Sequence, residues 1–205
     1  MLDHVFTDAI SALREAFEAA LLERQAFEEH FTSDVLTGDL TWETSYGLPG
    51  EGLPPRVEAH VNLSWPSWSQ TAYRRWYLDE DLEEAPGIEL EIVLRVQRLS
   101  AAPDPQVALD VLPSQSPPIG VEGLERSGPT IETAYALDTL QDVAYAIEVS
   151  YEGLYILNEE TLADGSSKTL DEHFAAMGAW ISSMLVRLGD IRMAYLPPDE
   201  EDQRS

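Results

Sequence analysis

Four histidines, His4, His30, His60 and His173, are the natural candidates for general-base or metal chemistry near neutral pH. Their spacing supports neither role. No two stand three or four residues apart, the separation that aligns two ligands on one helix face, and no His-Glu-x-x-His run occurs. Asp79, Asp81 and Glu83 have the spacing of the first three ligands of a calcium loop. That match then fails, because Glu84 stands where the loop turns on glycine and Leu90 where the bidentate glutamate belongs. Gly165-Ser166-Ser167-Lys168-Thr169 ends like a phosphate-binding loop, yet Leu162 and Ser167 occupy both positions that need glycine. There is no Gly-x-Ser-x-Gly elbow and no Ser-x-x-Lys pair for serine chemistry. Carboxylate pairs abound in so acidic a chain, so no one pair is selected as a glycosidase-like acid and base. With no cysteine, thiolate nucleophiles, disulfides and Cys-based metal sites are excluded. No catalytic residue, cofactor or metal ligand is assigned from the sequence.

The most unusual local composition is Trp65-Pro66-Ser67-Trp68 followed by Tyr73-Arg74-Arg75-Trp76-Tyr77. Aromatic and arginine side chains dominate interface hot spots, because each buries a large area while keeping a polar handle. Trp65, Trp68, Tyr73, Arg74, Arg75, Trp76 and Tyr77 are therefore the candidate partner-binding residues. The competing reading is that Trp65 and Trp76 fill the core between sheet and helix.

Charge bounds the partner. Twelve Lys and Arg face 38 Asp and Glu, a net charge of −26, and Lys168 is the only lysine. Such a field repels nucleic acid and anionic membranes and speeds encounter with basic proteins. The acids are spread along the whole chain, which a salt-adapted or arginine-favouring composition also produces. Direct binding of nucleic acid or membrane is not expected; a protein partner is, and the acidic field favours a basic one. No apolar run reaches the roughly 18 residues that span a bilayer. Residues 1–8 lack the basic and apolar regions of a signal peptide, so a cytoplasmic protein is expected. The oligomeric state is not readable.

Several elements must position whatever site exists. Phe6, Ile10, Leu13, Phe17, Leu21 and Phe27 recur at helical steps and predict one long helix from residue 3 to about 30. Period-two alternation predicts strands over 36–48, 56–65 and 88–97, and again over 130–137. Residues 70–78 fit either a strand or a short helix, and Val107, Leu109 and Val111 fit a short strand. The Pro- and Gly-rich stretch 112–129 reads as a long irregular loop. Residues 138–157 carry both periods; Asp138 with Gln141 resembles a capping box and favours helix. Thr169 and Glu172 form a second box opening a helix that Gly189 closes, and Ile191–Leu196 suits an edge strand. The expected architecture is a single α+β domain over 1–196, mainly an antiparallel sheet with a long N-terminal helix and a C-terminal helix on one face. An acidic disordered tail is expected over 197–205. The function this supports is a non-catalytic acidic interaction subunit: an adaptor, chaperone-like protein or inhibitor in a larger cytoplasmic assembly. The alternatives are a DNA mimic or immunity-type inhibitor that occupies the basic cleft of a nucleic-acid enzyme, and an enzyme with a carboxylate or histidine pocket invisible to sequence.

Overall fold

Apolar residues at every second position need one covered face, and the structure covers it with two helices. The computed structural model describes residues 3–24, 29–50, 54–78, 80, 81, 84–135, 143–158 and 168–197. In chain order these form α1 (Asp3–Ala19), β1 (Glu23–Arg24), β2 (His30–Ser33), β3 (Leu40–Gly47), β4 (Val57–Trp65), α2 (Ser67–Tyr77), β5 (Gly87–Leu99), α3 (Gln106–Val111), β6 (Glu125–Arg126), β7 (Thr130–Tyr135), β8 (Val143–Ile156) and α4 (Lys168–Gly189). The strands make one antiparallel sheet in the order β1-β3-β4-β5-β8-β6. β2 shares the outer edge of β3 with β1, and β7 shares the outer edge of β8 with β6. The fold is α+β, with α1 and α4 packed on one face of this sheet.

That covered face holds the core. Trp42, Tyr46, Val61, Leu63, Trp65, Ile88, Ile92, Ile147, Val149, Tyr151 and Tyr155 are all buried there. α1 supplies Phe17 against Tyr46 and Phe6 against Trp65. α4 supplies Trp180 edge-on to Tyr151 and Phe174 edge-on to Tyr155, both with ring centroids 5.0 Å apart. The two helices meet at Gly178, where a β-carbon would lie 2.6 Å from that of Ala16, so only glycine permits this approach.

α1 stops well before the predicted end near residue 30. Leu21 turns into the left-handed region at φ 58°, Leu21 N donates to Glu18 O, and Leu22 N donates to Phe17 O. These bonds close the helix as a Schellman turn. Leu22 is buried there while Leu21 is exposed, and Glu23–Arg24 pair with Tyr46–Gly47 instead of extending the helix. Phe27 lies outside the described residues.

β8 is a second correction, since 138–157 favoured a helix. Ten positions of β8 pair in continuous register with β5, and burial alternates along it. Leu154, which helped imitate a helical stripe, instead points to the uncovered face. The supposed capping box at Asp138 and Gln141 lies outside the described residues, as do Asp79, Glu83, residues 159–167 and the tail from 198. Residues 106–111 form a helical turn and not a strand: Asp104 Oδ1 accepts from Gln106 N and starts α3. Of the edge strand expected at 191–196 there is one bridge, Leu99 to Tyr195.

The irregular stretch and the far end of β5 are both tied down. The 112–129 stretch is irregular but anchored: Arg126 donates to the carbonyls of Leu109 and Leu112, and Tyr151 OH donates to Pro113 O at 2.7 Å. At the far end of β5, a bulge places Arg98 at φ 60°, and its guanidinium donates to Pro54 O and Leu196 O.

Candidate functional site

Neither helix covers the second face of the sheet, and its strand register places the polar residues in rows. Antiparallel partners stand side by side, about 4.8 Å apart from strand to strand. One row runs Gly47, Glu58, Arg95, Glu148, Thr130 across β3, β4, β5, β8 and β7. Arg95 sits at its centre. Nη1 donates to Glu148 Oε1 at 2.6 Å, Nη2 lies 3.0 Å from Glu132 Oε2, and Nε lies 3.8 Å from Glu58 Oε1. One guanidinium thus bridges carboxylates from three strands, and it neutralises Glu58, which is buried.

A second row lies four residues further along each of the four long strands. It runs Glu43, Asn62, Glu91, Glu152, Glu125 across β3, β4, β5, β8 and β6. Glu91, Glu152 and Glu125 are direct cross-strand neighbours, and none of the four glutamates has an ion pair among the described residues. Like charges directly opposite destabilise a sheet. Asn62 Oδ1, in the middle of the row, is hidden from solvent and has no donor among the described residues. The four glutamates of this row only accept hydrogen bonds, and Glu91, Glu152 and Glu125 repel their direct neighbours.

The row lies in a trough. Three hollows of about 320, 570 and 530 Å³ follow one another across the face. The first two share Asn62 and Glu91, and the last two share Glu152 and Leu154. Among the described residues, no lysine or arginine lines any of the three. Val93 and Leu154 add apolar surface between the carboxylates. Among the described residues, no group of three acidic or histidine side chains is arranged to hold a metal ion.

Between the two rows, sequence reading missed a relay. Ser45 Oγ lies 2.5 Å from His60 Nδ1, and His60 Nε2 lies 3.0 Å from Glu58 Oε1. The carboxylate accepts from Nε2, so the neutral ring leaves Nδ1 to accept the Ser45 hydroxyl proton. Nucleophile, base and orienting acid are thus in line. Two things oppose catalysis here. Ser45 is 3% exposed, and Glu43 and Glu91 line the same hollow, where a developing oxyanion would meet negative charge. Ser45 and His60 were legible only as polar positions on alternating strands; their contact depends on the Ser45–His60 register.

The residues singled out from sequence divide between core and surface. Trp65 is fully buried, with its indole donating to Ser69 Oγ at 3.1 Å, so it offers nothing to a partner. Tyr73 is half-buried edge-on to Trp65, and burial raises its phenol above the usual value. Trp76 is half-buried beside Tyr73. Trp68, Arg74, Arg75 and Tyr77 are exposed, as is Leu78 after the helix. Arg75 bonds Glu80 and the carbonyl of Asp81. Trp68, Arg75 and Leu78 follow one another at helical steps and form a ridge on α2. Asp39 fixes the start of that helix by accepting from Ser67 N at 2.7 Å, and this backbone donor holds its carboxyl below the usual range. The turn before Asp39 presents Val35 and Leu36 almost wholly to water, held by amides of Leu36 and Thr37 that donate to Asp34.

Of the remaining histidines, His30 lines the first hollow and His4 is exposed. His173 Nδ1 lies 2.9 Å from Tyr155 OH, under the core, and burial raises the Tyr155 phenol further than any other described. No helix of the described residues is long and apolar enough to cross a membrane. No protein-family model matches the chain, and no curated protein or solved structure is similar to it.

Proposed function

We propose that this chain is a non-catalytic interaction subunit that docks a basic protein partner on the open face of its sheet, as an adaptor, chaperone-like protein or inhibitor in a cytoplasmic assembly. The observation that carries the reading is the glutamate row: four uncompensated carboxylates aligned on a face that neither helix covers. A sheet gains nothing within itself from opposing like charges, whereas a cationic partner relieves them on docking. The exposed ridge of α2, with Trp68, Arg74, Arg75 and Tyr77, supplies the second contact in this reading.

Photo-crosslinking in the native host tests it. A crosslinker replacing Glu152 or Leu154 on the open face should trap a discrete basic protein, and one replacing Glu15 or Ala179 on the outer helix faces should not. Equal trapping from both sides, or none from the open face, overturns the proposal.

The same row favours DNA mimicry as a second reading. Five strands place four carboxylates along about 19 Å, over which one DNA strand carries roughly five or six phosphates. Under this reading double-stranded DNA of any sequence competes with the chain for its partner; under the first it does not.

A further inference from the structure

This inference rests on the docking reading above and specifies the chemical group that seats there. We infer that the partner places an arginine, carried on an extended cationic segment, between Glu91 and Glu152, as a counterpart in trans of Arg95.

The same face supplies the pattern. In the first row, β5 contributes Arg95 and its neighbours on β4 and β8 contribute Glu58 and Glu148. The guanidinium hydrogen-bonds Glu148, pairs with Glu132, and faces Glu58 at an ion-pair distance of 3.8 Å. In the second row β5 contributes Glu91 where the first has a cation, beside Asn62 and Glu152. The carboxylates are present and the cation is missing. A planar guanidinium with five donors can span carboxylates on adjacent strands. An ammonium is a point charge and satisfies fewer of these groups at once. Val93 and Leu154 flank the row and suit the aliphatic part of an arginine stem. The lack of any Lys or Arg along the trough leaves the site electrostatically open to such a segment.

Fluorescence anisotropy with labelled octa-arginine and octa-lysine peptides tests the inference against three proteins. The first is unsubstituted. The second carries Glu91→Gln, Glu125→Gln and Glu152→Gln. The third carries Glu15→Gln, Glu18→Gln and Asp190→Asn, an equal charge change on the helix side. Octa-arginine should bind the unsubstituted chain about fivefold tighter than octa-lysine. The open-face triple should weaken octa-arginine by about tenfold or more and erase that preference, and the helix-side triple should change it by less than about twofold. If the two triples weaken binding equally, the docking reading and the arginine inference fall together. If the open-face triple loses binding but the two peptides bind alike from the start, the docking reading stands and the arginine inference is overturned. Glu91→Arg is the second variant. It fills the row in cis and should abolish octa-arginine binding while raising the melting temperature; undiminished binding would overturn the inference.

Discussion

Two rows of side chains cross the same sheet face about 13 Å apart along the strands, and they treat charge in opposite ways. The Arg95 row is internally neutralised: its guanidinium ties β4, β7 and β8 to β5, and Glu58 is buried in consequence. The Glu91 row is left charged, its members repel one another, and it is the row that lines the trough. Strand spacing is the same in both; the first row is the more buried, and the decisive exchange is on β5, a cation in one row and a carboxylate in the other. The first row holds the sheet together. The second offers it to something else.

Four substitutions break or sharpen this contrast. The largest effect belongs to Arg95→Ala, which strands Glu58 without its cation and should destabilise the fold by about 3 kcal/mol in urea unfolding. A loss near zero would mean that the first row is as dispensable as the second. Glu91→Arg should act in the other direction, raising stability by about 1 kcal/mol by turning the direct repulsion with Glu152 into an attraction. Salt separates the two cases further: the gain from Glu91→Arg should shrink in concentrated salt, because its row is wet, and the deficit of Arg95→Ala should persist. Glu152→Gln removes the repulsions with Glu91 and Glu125 without adding an attraction and should stabilise by about 0.3 kcal/mol, close to the limit of a chemical melt.

Asp39→Ala serves as the reference outside both rows. Its carboxyl is held below the ordinary value of 3.8 by the Ser67 amide, so folding favours the charged form. That contribution is complete above pH 3.8 and is lost as the pH falls through the lowered value. The melting temperature of Asp39→Ala should therefore lag the unsubstituted chain at neutral pH, and the gap should narrow in acid. A gap that widened in acid would contradict the capping role.

What was legible in the sequence follows from how local each signal is. β4, β5 and α4 were readable because five or more successive core positions repeat one period, and burial on one face enforces that period. The end of α1 was not, because Leu21 continues the apolar stripe although the backbone has already left the helix. β8 was obscured by Leu154, an exposed leucine that completed a false helical face. For α2 the residue types did not distinguish the exposed Trp68 and Tyr77 from the buried Trp65, since a Trp-rich segment looks the same whether it faces in or out. Glu43 and Glu91 were correctly read as polar-side residues of their strands. Their alignment with Glu152 and Glu125 was not legible, because it depends on register and because those two come from segments read as helix and as loop.

The outer strand β2 carries one further consequence. All four of its residues, His30 to Ser33, are exposed, and on the side away from β3 no described strand pairs with it. It has none of the lysine, proline or bulge that usually blunts such an edge, and Val35 and Leu36 stand beside it in water. Between copies of this chain the remaining barrier is mutual repulsion, −26 against −26. The dispersed acidity that looked uninformative along the sequence therefore opposes association at an edge that no described strand covers. Its protection weakens wherever that charge is titrated, as near the isoelectric point of about 4.2, or screened by salt.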